Sequence, residues 1–115
     1  MAGQFAIVTG ASTGIGLELA RLCAREGFDL LIAADEPAIQ DAAQRLREEQ
    51  GAGAVEAVQA DLATMEGVDQ LYAAAKGRPV NVLVANAGRG QLELAFRTRF
   101  AVAHSAAIIL IICMQ

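Results

Sequence analysis

A chain of 115 residues, 55% hydrophobic and 19% charged, is long enough for one domain with its own core and too apolar to be disordered. The net charge of −4, with Arg97 and Arg99 as the one close basic pair near the tail, argues against a nucleic-acid partner. Cys23 and Cys113 form no disulfide framework; they read as small buried hydrophobes in a reducing, cytoplasmic compartment.

The opening residues lack the basic start and long apolar stretch of a secretory signal. Phe5-Ala6-Ile7-Val8 is instead a short apolar run ending at Thr9-Gly10, the mark of a strand buried on both faces. A glycine-rich turn follows. Ile15, Leu19, Leu22 and Cys23 then recur at helical spacing, and Gly27 ends that helix. Leu30 to Ala34 reads as a second buried strand. Asp35-Glu36-Pro37 suits a helix start, with acids at the positive end and proline in the first turn. Its apolar stripe is Ile39, Ala42, Ala43 and Leu46.

Val55 to Ala60 is a weaker strand, suited to a sheet edge. Thr64 is placed to cap a helix whose apolar face is Val68, Leu71, Tyr72 and Ala75. Gly77-Arg78-Pro79 breaks it, and Val80 to Ala85 is a fourth strand. Leu92 to Met114 reads as one long helix or two short ones. Its apolar part, Ala101 to Met114, is interrupted by His104 and Ser105 and is shorter than the roughly 20 residues of a membrane span, so no membrane is expected. His104 has no Cys, Asp or Glu at ligand spacing, and no metal site is expected. The alternation of strands and helices predicts an α/β fold: a Rossmann-like, doubly wound parallel sheet of about four strands, incomplete, with helices on both faces.

The turn Gly10-Ala11-Ser12-Thr13-Gly14-Ile15-Gly16 lies between the first strand and the first helix. Glycines there let the backbone turn sharply and approach a phosphate with no Cβ in the way. The helix that follows aims its free N–H groups and positive dipole end at the same place. A tight turn with no ligand is the plain alternative. The buried strand before it, the amphipathic helix after it and an acid beyond the second strand favour a nucleotide.

Thr9-Gly10-Ala11-Ser12-Thr13-Gly14-Ile15-Gly16 resembles the T-G-x-x-x-G-I-G cofactor motif of short-chain dehydrogenases/reductases. Asp61-Leu62, after the third strand, resembles that family's acid–hydrophobic pair near the adenine ring. Asn86-Ala87-Gly88, after the fourth strand, resembles its N-A-G motif beside the cofactor. The likeness runs from about Gln4 to about Gly90. It implies an NAD(P)-binding half over residues 1–90 and a divergent helical tail over residues 91–115. The expected cofactor-binding residues are Gly10, Ser12, Thr13, Gly14, Ile15, Gly16, Asp35, Asp61, Leu62, Asn86, Ala87 and Gly88. Asp35 follows the second strand at the distance where an acid hydrogen-bonds the adenosine ribose and repels a 2′-phosphate, so NAD is favoured over NADP.

The resemblance implies hydride transfer between nicotinamide and a carbonyl or alcohol, with a serine and a Y-x-x-x-K pair that follow the N-A-G motif in the family. The sequence ends at Gln115, before their expected place, so no catalytic residue is assigned. Tyr72-Ala73-Ala74-Ala75-Lys76 matches Y-x-x-x-K literally but precedes Asn86, and i, i+4 pairs of this kind arise on any helix. Ala103 stands where the family carries an asparagine. Three functional readings follow: the cofactor-binding part of an oxidoreductase, inactive as supplied; a non-catalytic nucleotide-binding module; or a truncated or frame-shifted product without function. Each is compatible with a homo-oligomer.

Overall fold

The computed structural model describes residues 3–12, 14–62, 64–87 and 107–112. Their order is β1 (Phe5–Thr9), α1 (Gly14–Arg25), β2 (Asp29–Ala34), α2 (Ala38–Arg47), β3 (Val55–Gln59), α3 (Met65–Ala74), β4 (Val82–Ala87) and β5 (Ala107–Ile112). The strands form one parallel sheet in the order β3-β2-β1-β4-β5. This is the α/β architecture expected, with one strand more than the four read from the sequence.

Alternation along the strands sorts the core into two layers. Ala6 and Val8 of β1, Leu30 and Ile32 of β2 and Val84 of β4 face α1 and α2, where they meet Ala20, Ala24, Ile39 and Leu46. Phe5, Ile7, Leu31, Ala33 and Leu83 face the other way, onto Val68 and Leu71 of α3. All five residues of β1 are buried. The stripe of α2 is the one expected: Ile39, Ala42, Ala43 and Leu46 are all buried.

Three expectations are corrected. The face of α1 turned to the sheet is Gly16, Leu17, Ala20 and Ala24, while Ile15 and Leu22 are each 55% exposed. Leu19 and Cys23 are only partly buried. The small residues let the helix backbone approach the sheet closely, which larger side chains at those positions would prevent. Second, β4 starts and ends two residues later than Val80 to Ala85, because β5 pairs with its far end: Asn86 opposes Ile111 and Ala87 opposes Ile112. Third, the tail expected to be helical carries a strand at Ala107–Ile112. A parallel partner for β4 outweighs helix formation in a run rich in β-branched isoleucine. Cys113, His104 and the Phe100 to Ala103 stretch lie outside the described residues.

Caps fix the ends of the helices. Gly27, at φ 85°, closes α1 with its N–H on the Ala24 carbonyl (3.0 Å) and that of Phe28 on the Cys23 carbonyl (3.1 Å), the paired bonds of a Schellman turn. Thr64 caps α3 by accepting from the Gly67 N–H at 3.0 Å. The edge strand β3 is tied to α2 by Arg47, whose Nε and Nη2 reach the Val55 carbonyl at 3.1 and 2.9 Å. Burial raises the pKa of the half-buried Cys23 thiol, which keeps it protonated.

The amino ends of the strands are bound by polar contacts. Phe5 donates to Asn81 Oδ1 (2.8 Å) and accepts from the Asn81 N–H (2.9 Å). Arg78 pairs with Asp29 at 2.7 Å and lies 4.6 Å from the centre of the Phe5 ring, a cation–π distance. Asp29 also accepts from the Ala54 N–H at 3.0 Å. The Ala54 bond first, and Arg78 after it, hold the Asp29 carboxyl below its ordinary pKa.

Two predictions follow from these contacts. Because the folded-state value is lowered, the stabilisation from Asp29 is fully present above the unfolded value of about 3.9 and is lost as pH falls through the lower folded value. Asp29→Asn should lower Tm near neutral pH by the few degrees that about 1 kcal/mol represents, and the gap between the thermal melts of the two proteins should narrow as pH falls below the ordinary carboxylate range. A gap unchanged by pH would contradict the assignment. Thr64→Ala should cost about 1 kcal/mol in denaturant unfolding, whereas Thr64→Ser should retain most of the cap.

Candidate functional site

Connections leave β1 in opposite directions: the chain runs outward through β2 to β3, then crosses back to β4 on the far side of β1. In open parallel sheets such a reversal opens a crevice at the carboxyl ends of the strands. Here it lies between β1 and β4. Thr9, the last residue of β1, is buried, and its hydroxyl donates to the Val84 carbonyl of β4 at 3.5 Å. The two strands that flank the crevice are thereby linked at its floor.

The glycine loop leaves β1 directly above this point. Gly10 and Gly14 both have φ 63°, the left-handed region in which a Cβ is strained. Ala11 is fully buried, and its N–H donates to the Ala33 carbonyl at 3.3 Å, so the loop is held against the end of β2. The side chain of Ser12 donates its hydroxyl proton to Glu36 Oε1. At Gly14, the head of α1, a Cβ would meet nothing within 4 Å among the described residues. The first turn of α1 carries no acidic residue. The first-turn N–H groups and positive end of the helix thus have no carboxylate of that turn to compete for them. Gly16 is buried against the sheet, and Ile15 points outward at the mouth.

The other expected residues line the same edge. Asp35 is exposed immediately after β2. Asp61 is exposed and Leu62 partly buried after β3. The backbone at Asp61 is held by α3: its carbonyl accepts from the Thr64 N–H (3.1 Å) and hydroxyl (2.8 Å), and a Cβ on Gly67 would collide with it. Asn86 and Ala87 are the last two residues of β4, inside the strand where the sequence had suggested they follow it. Thr13 and Gly88 lie outside the described residues. Glu36 is the residue that sequence reasoning left out; its place beside Asp35, at the start of α2 and across from the loop, was the available signal.

Tyr72 is far from this edge. It lies in the latter half of α3, which runs from the carboxyl end of β3 back toward the start of β4. It is partly buried against the core layer on the α3 side of the sheet. The literal Tyr72–Lys76 match is a feature of that helix surface. Among the described residues no group of three or more His, Cys, Asp or Glu side chains could hold a metal ion, and no helix is long and apolar enough to cross a membrane.

Known proteins share this framework. The chain is 39% identical over 93 residues to a probable oxidoreductase of Streptomyces lividans, a match covering 76% of this chain and 29% of that protein. L-Sorbose reductase from Gluconobacter frateurii, solved with NADPH and L-sorbose, is similar with a TM-score of 0.82 at 29% identity, over 96% of this chain and 52% of that one. Actinorhodin polyketide ketoreductase, solved with NADPH, is similar with a TM-score of 0.70 at 37% identity, over 77% of this chain and 36% of that one. The chain thus spans about half or less of the length of each of these proteins. The short chain dehydrogenase family model matches residues 4–108, and the chain belongs to that family.

Proposed function

We propose that this chain is the NAD(P)-binding part of an oxidoreductase, holding a dinucleotide by its pyrophosphate over the amino end of α1. The observation that carries this reading is the cradle at Gly14: left-handed backbone with no described atom within 4 Å of where a Cβ would lie, at the head of a helix with no acid in its first turn. An anion fits there because N–H groups and the helix dipole both favour negative charge. The NADPH in the two similar solved structures supports the same reading.

The remaining residues then take their places around that anchor. Asp35 meets the adenosine ribose, Asp61 and Leu62 border the adenine, and Asn86, Ala87 and Gly88 border the nicotinamide half. NAD is the preferred cofactor, because an exposed acid at the exit of β2 repels a 2′-phosphate. NADP is the second reading, supported by its reduced form in both similar structures.

A bound nicotinamide would supply hydride transfer to or from a carbonyl or alcohol carbon. The residues of this chain bind and orient the dinucleotide; none is assigned to move a proton. A reducing, cytoplasmic compartment suits a chain whose two cysteines, Cys23 and Cys113, make no disulfide framework.

Titration of the purified chain with NADH, followed by nucleotide fluorescence, tests the reading. Saturable binding is expected, weakened at least about tenfold in Gly14→Val, whose side chain is strained at positive φ and projects into the phosphate's space. A wild-type chain that binds no NADH, or a Gly14→Val variant that binds as tightly, would overturn it.

A further inference from the structure

We infer that Thr64 and Gly67 are positioning residues for the adenine end of the site, holding Asp61 where its carboxylate accepts a hydrogen bond from the exocyclic amine of the base. The inference rests on the reading that this edge binds a nicotinamide dinucleotide with Asp61 beside the adenine. The Asp61 side chain is exposed, and an exposed acid on a loose loop would lose much of its binding energy to the cost of ordering it. In this chain the backbone beneath it is fixed from two sides. On the sheet side, Ala60 is buried, and its N–H donates at 3.1 Å to the carbonyl of Ala34, the last residue of β2. The chain thus still runs beside β2 one residue before Asp61. On the helix side, the Asp61 carbonyl accepts the Thr64 N–H at 3.1 Å and the Thr64 hydroxyl at 2.8 Å. The same hydroxyl accepts from the Gly67 N–H at 3.0 Å. Thr64 Oγ1 therefore links the head of α3 to the backbone of Asp61.

Gly67 makes that link possible. It is helical and buried in the first turn of α3, so its backbone has no need of glycine, and glycine is a poorer helix former than alanine. Its place is explained by space. A Cβ at this position would overlap the carbonyl group of Asp61. The obstacle is backbone and not the tip of a flexible side chain, so relief would have to come from moving Asp61 or the head of α3. Either shift lengthens the bonds through Thr64, and hydrogen bonds weaken steeply outside a narrow range of distance and angle. Recognition of the base then depends on a glycine six residues beyond the acid and on the threonine between them.

Two reduced dinucleotides test the inference: NADH, and its hypoxanthine analogue, in which a carbonyl oxygen stands in place of the exocyclic amine. Dissociation constants for both are measured by nucleotide fluorescence. The wild-type chain should bind NADH about tenfold more tightly, because the analogue sets a carbonyl oxygen against a carboxylate. Asp61→Ala should erase that preference. Gly67→Ala and Thr64→Ala should each reduce it to about threefold or less, whereas Thr64→Ser, which keeps the hydroxyl, should retain it. Loss of folded protein weakens binding of both nucleotides alike and leaves their ratio unchanged, so the ratio separates positioning from stability. Thr64→Ala decides the matter if Gly67→Ala does not fold. A preference that survives in one of the two variants would remove that residue from the role. A preference that survives in both, or a wild-type chain that binds the two nucleotides equally, would overturn the inference and leave the pyrophosphate anchor at Gly14 standing. A wild-type chain that binds neither nucleotide would overturn the dinucleotide reading and this inference with it.

Discussion

Burial of β1 on both faces is the constraint from which the rest of the molecule follows. Its five residues are enclosed by α1 and α2 on one side and α3 on the other. A strand so enclosed must pair on both edges, because unpaired backbone groups inside a core are costly. β2 and β4 supply those pairs. The chain can reach both only by reversing direction across β1, and that reversal creates the crevice. The site is thus a consequence of how the central strand is satisfied. The glycine loop is the point where the enclosed backbone escapes into solvent, and left-handed residues at Gly10 and Gly14 make the escape short.

The two ends of the sheet are built differently. At the amino end Asp29, Arg78, Phe5, Asn81 and Ala54 satisfy one another through side-chain bonds and an ion pair. At the carboxyl end the corresponding positions are glycines, an exposed helix head, and exposed acids at Asp35, Glu36 and Asp61. Side-chain bonds and an ion pair are thus gathered at the amino end, whereas left-handed glycines and exposed acids stand at the other. Family members more than twice this chain's length share the framework.

Much of this was legible in the sequence because the physics is local. The apolar runs Phe5 to Val8 and Leu30 to Ala34 can be buried only as central strands, and the stripe of α2 follows from helical spacing. The loop was legible from its glycines and its position. What escaped depends on partners distant in the chain. The ends of β4 are set by β5, about twenty-five residues away in sequence. Ile108 to Ile112 has no periodicity to separate strand from helix, and only its β-branched content favoured a strand. The face of α1 was misjudged because large residues suggest burial, whereas Gly16, Ala20 and Ala24 are buried here for their smallness. The Ser12–Glu36 contact spans 24 positions and depends on side-chain placement that no pattern encodes.

The central claim is that the carboxyl edge of the sheet, at the head of α1, is where a dinucleotide binds. Backbone amide shifts of the 15N-labelled chain, recorded as NADH is added, test it most directly. The account predicts progressive shifts at Ala11, Ser12, Gly14, Ile15 and Gly16, with smaller ones at Asp35 and Asp61 and none at Phe5, Asp29 or Arg78. Shifts centred on the amino end of the sheet, or an unchanged spectrum at saturating NADH, would contradict it.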